Sequence, residues 1–183
     1  NVVLMSQNFM TGKWEAGLKY LFPLFAFALG VLIAEQIQHK YKYAKRLHWR
    51  QGILGAEIII LFIVGFIPQR GNMIATVLVS FACAMQVQSF RKVNGFSYAS
   101  TMCIGNLRSG TAALSFYLRE RRPEQLRQAM YYLGIIVLFA IGAGIGGNLS
   151  ANYGIHMIWV SCGLLIVSFL LMFLDIEARR SRA

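Results

Sequence analysis

The sequence predicts an all-α, polytopic helical membrane protein of inverted three-helix repeats, with the first helix missing from this chain. Three observations predict it. Of 183 residues, 57% are hydrophobic and 14% charged, an apolar share above the roughly 45–50% of soluble domains. The apolar residues gather into runs that approach the ~20 residues a helix needs to cross a hydrocarbon core. The eighteen Lys and Arg, which outnumber seven acidic residues to give +11, sit in the gaps between runs. That placement fits anionic lipid and the positive-inside rule. No aromatic-and-basic stripe marks a soluble face, so nucleic acid is discounted.

Five spans follow in order. The first is Tyr20 to Ile37, with Pro23 in its first turn, where a missing donor costs least. The second runs from about Ile53 to Ile67 and stops at Pro68. The third is about Met73 to Val87. The fourth is Ala129 to Leu149, and the fifth is Ile155 to Leu174.

The segment 97–118 is treated differently. It holds STMCIGNLRSG (100–110), a small, polar, glycine-dotted tract with one arginine, Arg108. If it does not cross, the basic loops at 39–50 and 91–127 and the basic tail share one side with fifteen of the eighteen cations. Only Lys13, Lys19 and Arg70 lie opposite. If it crosses, seven cations lie inside and ten outside, with Arg108 left in the membrane. The positive-inside rule selects the first arrangement. A crossing would also bury Arg108 at a cost of roughly 2.5–3.5 kcal/mol on insertion scales. The segment is therefore expected to be re-entrant or cytoplasmic. A turn at Gly105 would open a short helix, and Ala112 to Leu118 could close the tract.

An internal repeat underlies the pattern. The opening NVVLMSQNFMTGKWEAGLKYLFPLFAFALG resembles NLRSGTAALSFYLRERRPEQLRQAMYYLGIIVLFAIG. Asn1 aligns with Asn106, and Phe27 and Gly30 align with Phe139 and Gly142. The first repeat is 1–68, incomplete, with a polar amphipathic segment and two spans. The second is 71–178, with three spans and the polar segment. Three crossings per unit invert one copy relative to the other, an arrangement characteristic of secondary transporters.

The stretch QVQSFRKVNGFSYASTMCIGNLRSGT (86–111) resembles the YoaK-like, or DUF1275, family of bacterial membrane proteins. So do the opening NVVL, the run LFPLFAFALGVLIAE and the HWRQ before the second span. The chain departs from that family in lacking the first helix with its Thr-Gly, and Ala112 stands where an acidic residue often follows Gly-Thr. The resemblance implies a six-helix protein of the bacterial inner, or plasma, membrane. The charge count places its C-terminus in the cytoplasm. The resemblance supplies no substrate.

Asn106, Arg108, Ser109 and Thr111 are the leading site candidates. A helix opening at Gly105 would turn free N–H groups toward an anion, and Arg108 would reinforce that preference. Asn1 is the symmetry mate of Asn106. Gln86 leads into the tract and could touch solute, although a hydrogen bond between helices suits Gln86 and Gln88 equally. Glu57, inside the second span, is the candidate proton-coupling group, because an intramembrane carboxylate is costly and functional by default. Glu35 reads as an interfacial residue near Lys40, and Arg91 and Lys92 as orientation signals.

Other motifs are set aside. GAGIGG (142–147) lies inside a span rather than between strand and helix, so it is not a nucleotide fingerprint. Gly142 and Gly146 instead form a GxxxG packing pair. Trp14, Trp49 and Trp159 sit near run ends as interfacial anchors. His39, His48 and His156 lack metal spacing, and Cys83, Cys103 and Cys162 form no CxxC or Cys/His cluster. No nucleophile–base–acid set is visible, so neither an enzyme nor a cofactor is expected.

The reading is a transporter of a small solute, with anions the leading class. The alternative is a non-transporting membrane scaffold or regulatory protein. The partners implied are the lipid bilayer and a small-molecule solute, with a homo-oligomer left open and no nucleic acid.

Overall fold

The computed structural model describes residues 1–41, 49–93 and 96–180. Lys42, Lys45, Arg46 and His48 of the first basic loop, Asn94, Gly95 and Arg182 lie outside the described residues. Seven α-helices are described: α1 (Val2–Met10), α2 (Trp14–Tyr41), α3 (Trp49–Val64), α4 (Asn72–Ser89), α5 (Cys103–Glu120), α6 (Pro123–Tyr153) and α7 (Ile158–Arg180). One small ribbon, β1 (Lys92–Val93) with β2 (Phe96–Ser97), departs from an otherwise all-α chain.

Among the described residues, four segments are long and apolar enough to cross a membrane: Trp14–Tyr41, Gln69–Ser89, Pro123–Tyr153 and Ile155–Leu174. The expected span at 53–67 is the exception. Its helix, α3, has 16 described residues, about 24 Å at 1.5 Å per residue, short of a ~30 Å hydrocarbon core. Pro23 also differs from expectation. Helix α2 starts at Trp14, so Pro23 is interior and buried, where neighbouring helices can satisfy the carbonyl it leaves free.

Contacts divide the chain into two units, one of Asn1–Ser89 with Tyr153 onward, the other of Phe90–Asn152. This division follows contacts, whereas the division near residue 70 follows the sequence repeat.

In the first unit α2 packs most extensively on α4. The reason is a run of small residues. Ala26, Gly30 and Ala34, four residues apart, are buried on α2, and Ala75, Ala82 and Ala84 are buried on α4. A Cβ on Gly30 would lie 2.5 Å from the Phe81 carbonyl oxygen and 2.8 Å from the Ala84 Cβ. Lipid tails are as apolar as leucine, so close approach rather than water exclusion drives such contacts.

Helix α3 packs on α4 and α7. Ile53 and Trp49 form a buried cluster with Ala34 and Met85. Trp49 is thus a core residue, 7% exposed, and not the interfacial anchor its position at a run end suggested. Leu61 forms a second cluster with Ala82 and Cys162. The carbonyls at a helix C-terminus lack intrahelical donors, and Trp159 of α7 and His156, two residues before that helix, supply them. Trp159 Nε1 donates to the Phe62 carbonyl at 3.2 Å, and His156 Nδ1 to the Gly65 carbonyl at 2.9 Å. At the other end of α3, Arg50 Nε donates to the Ser89 carbonyl at 3.1 Å, capping the last turn of α4. Gln88 hydrogen-bonds Glu35 between α4 and α2.

In the second unit the polar tract is helical from Cys103. The expected turn at Gly105 is absent, and Gly105 lies in the first turn of α5. The reason is a small-residue face: Asn106, Gly110 and Ala113 are all buried. A Cβ on Gly110 would stand 2.9 Å from the Tyr132 Cβ of α6. The glycines permit this approach rather than breaking the helix. Helix α5 is not among the segments apolar enough to cross. The α6 pair Gly142 and Gly146 packs against nothing among the described residues within 4 Å of an added Cβ.

Candidate functional site

The polar tract builds a cavity inside the second unit. Three residues before the ribbon's first strand comes the end of α4, and the ribbon register, Lys92 opposite Ser97, folds Arg91 and Lys92 back beside residues 97–99. The Tyr98 N–H donates to the Arg91 carbonyl at 2.9 Å. Asn106 then clamps the segment that follows β2. Its Nδ2 donates to the Ala99 carbonyl at 2.7 Å, and its Oδ1 accepts the Ala99 N–H at 3.1 Å. One side chain thus satisfies both polar groups of one residue, as a neighbouring strand would. From α6, the Tyr132 hydroxyl donates to the Ser97 carbonyl at 2.6 Å.

The result is a cavity of about 350 Å³ lined by Arg91, Lys92, Ser97, Asn106 and Ser109, among others. Two cations stand at it and no carboxylate does. The first turn of α5 contributes N–H groups that have no intrahelical acceptor, and its N-cap residue, Met102, makes no side-chain cap bond. The Ser100 hydroxyl is buried without a partner among the described residues. This set offers donors in excess of acceptors, the chemistry that holds a small anion. A second cavity, about 570 Å³ between Phe22, Phe25 and Leu29 of α2 and Met73 and Leu78 of α4, is almost wholly apolar and fits acyl chains rather than a polar solute.

The sequence candidates divide. Asn106 and Ser109 line the cavity. Arg108 and Thr111 are exposed on other faces of α5. Asn1, the exposed N-cap of α1, and Gln86 of α4 belong to the first unit. The cations at the cavity are instead Arg91 and Lys92, which the sequence reading assigned to orientation alone. Their sequence signal was the Asn94-Gly95 dipeptide, a strong short-range mark of a hairpin; the register of β1 with β2 brings both back beside the tract.

Glu57 belongs to the first unit. It is 3% exposed on α3, one turn from Ile53 and one from Leu61, both buried. Its Oε2 has no hydrogen-bond partner among the described residues. No three His, Cys, Asp or Glu among the described residues are placed to hold a metal ion.

Asn106→Ala is expected to release Ala99. Two hydrogen bonds at about 1 kcal/mol each, and two backbone groups left unpaired, put the loss at about 2–4 kcal/mol. Amide exchange at residues 98–102 should speed up, with thermal stability in detergent falling. Asn106→Asp keeps the acceptor and loses the donor, so it should fall between wild type and alanine. Equal protection in all three would show the clamp to be idle.

A family model described as "Protein of unknown function (DUF1275)" matches residues 1–171. No curated protein and no solved structure matches the chain.

Proposed function

Since the chain belongs to the DUF1275 family and carries four helices able to cross a bilayer, we propose that it is a membrane transporter of a small anionic solute. The observation that carries this is the cavity at the start of α5, with Arg91 and Lys92 beside Asn106 and Ser109. Arg91 and Lys92 supply charge, Ser97 and Ser109 supply hydroxyl donors, and Asn106 holds the loop in place. Glu57 is the proton-coupling group, and the protein is not an enzyme. The scaffold is a pair of inverted repeats. In support, each copy has a helix, a link with one left-handed residue, and a long helix. The link residues are Gly12 before α2 (φ 74°) and Arg121 before α6 (φ 54°). The protein sits in the bacterial inner membrane with its basic loops and C-terminus in the cytoplasm, as the distribution of cations favours.

Uptake by the purified chain in proteoliposomes, over a panel of small inorganic and carboxylate anions, tests this. Saturable uptake of at least one anion is expected. Arg91→Ala with Lys92→Ala should weaken it at least about tenfold, since each charge-assisted bond contributes about 1.5–3 kcal/mol. No uptake of any anion by folded protein would sink the transporter reading and favour the scaffold. Uptake indifferent to the double substitution would remove this cavity from the pathway.

A further inference from the structure

Helix α5 has a face that its own unit leaves bare. Ile104, Leu107, Leu114 and Leu118 are 84%, 51%, 36% and 59% exposed. With Thr111 between them, their spacings of three and four residues put them in one stripe along the helix. The cavity lies on a different face, through Gly105, Asn106 and Ser109. Along one edge of the stripe run Arg108 and Arg119, eleven residues and so about three turns apart. Arg121 and Arg122 follow at the helix end.

Charge decides what covers this stripe. From Arg91 to Arg127 there are seven basic residues and two acidic ones, Glu120 and Glu124. Glu120 is already paired with Arg122 at 3.0 Å. A second copy of a chain at +11 would bring cations to meet cations. An anionic surface would not. The stripe is also held at a bilayer. Helix α6 begins at Pro123, three residues beyond the end of α5, and its 31 residues reach about 46 Å, longer than a ~30 Å core. Its polar first turns, PEQLRQ, therefore fall in the headgroup layer, and the C-terminal end of α5 is held there.

We propose that α5 lies in the plane of an anionic lipid leaflet. Ile104, Leu107, Leu114 and Leu118 enter the headgroup–acyl boundary, and Arg108 and Arg119 bind lipid phosphates. This is the form of an interfacial amphipathic helix, with an apolar stripe and a basic flank. It gives Arg108 a role outside the cavity. It explains how a glycine-dotted tract remains helical beside a membrane without entering it. It does not depend on transport.

The test uses the full chain in vesicles of phosphatidylcholine, alone or with phosphatidylglycerol. Cys83, Cys103 and Cys162 are replaced by serine, and a polarity-sensitive fluorophore is attached at Leu107→Cys or Leu114→Cys. Quenching by nitroxide carried high on the acyl chain should rise when phosphatidylglycerol is added. Arg108→Gln with Arg119→Gln should weaken that response about tenfold or more, at roughly one unit of surface attraction per cation. Amide exchange of α5 in the unsubstituted protein gives a second measure, with slower exchange expected in the anionic vesicles. Three results would overturn the proposal: labels open to aqueous quenchers in both lipids, labels shielded from water and lipid alike by protein, or exchange and quenching that ignore lipid charge.

Discussion

Gly30→Val is expected to part α2 from α4 and to leave the first unit poorly folded. The added Cβ alone would come within 2.5 Å of the Phe81 carbonyl oxygen and 2.8 Å of the Ala84 Cβ. The nearer atom is backbone of a packed helix, so no side-chain rotation relieves the contact. Overpacking commonly costs 1–3 kcal/mol and more where backbone must shift, so a loss of about 3 kcal/mol or more is expected. The interface concerned is the most extensive in the unit, and in a bilayer it rests on close approach. Ala26 and Ala34 would lose their partners with it. Thermal unfolding in detergent should show a much lower midpoint, or no folded fraction. Gly142→Val and Gly146→Val are the matched controls. A Cβ there meets nothing among the described residues within 4 Å, so both should behave as wild type. If the α6 variants fail while Gly30→Val folds, the close-packed pair in this chain is α6's and the account of α2 and α4 is wrong.

That contrast shows what could be read from the sequence and what could not. Span positions are set by run length and breakers, which are local, so α2, α4, α6 and α7 stand where the apolar runs placed them. Which glycine is a contact depends on the facing helix. Gly142 and Gly146 drew the eye because they form a GxxxG pair, whereas Gly30 is flanked by alanines at the same four-residue spacing and does the packing. Trp49 shows the same limit. A tryptophan at a run end suggests an interface, but Ile53 one turn on and Met85 on α4 enclose it.

The polar tract was legible as a segment that does not belong among the spans and illegible as a helix. Its glycines suggested a turn, yet Asn106, Gly110 and Ala113 are spaced as one helical face, and that spacing was the available signal. Asn106 and Ser109 could be singled out because polar residues in an apolar chain need a reason. Arg91 and Lys92 read as orientation charges because of their place at a run end, although the Asn94-Gly95 dipeptide beside them was a local hairpin signal.

Glu57→Gln is expected to abolish proton-driven uptake while leaving the protein folded. The reasoning starts from cost. A carboxyl that is 3% exposed among Ile53, Leu61 and Val64, with one oxygen unbonded and no ion pair among the described residues, contributes nothing to packing that leucine would not. Burying a polar group without its full set of hydrogen bonds costs about 1–3 kcal/mol, a cost that an apolar residue of similar volume does not carry. Glu57→Leu should therefore raise the thermal midpoint. Glutamine keeps the shape and polarity but cannot release a proton, so it separates the carboxyl's chemistry from its volume. Uptake should be measured with and without an imposed pH gradient, beside the Arg91→Ala/Lys92→Ala variant. Loss of only the gradient-driven component in Glu57→Gln assigns coupling to Glu57 and solute binding to the cavity. Loss of both components without loss of fold would make Glu57 part of the solute path. Gradient-driven uptake undiminished in Glu57→Gln, together with a stabilised Glu57→Leu, would leave Glu57 a structural burden with no part in coupling.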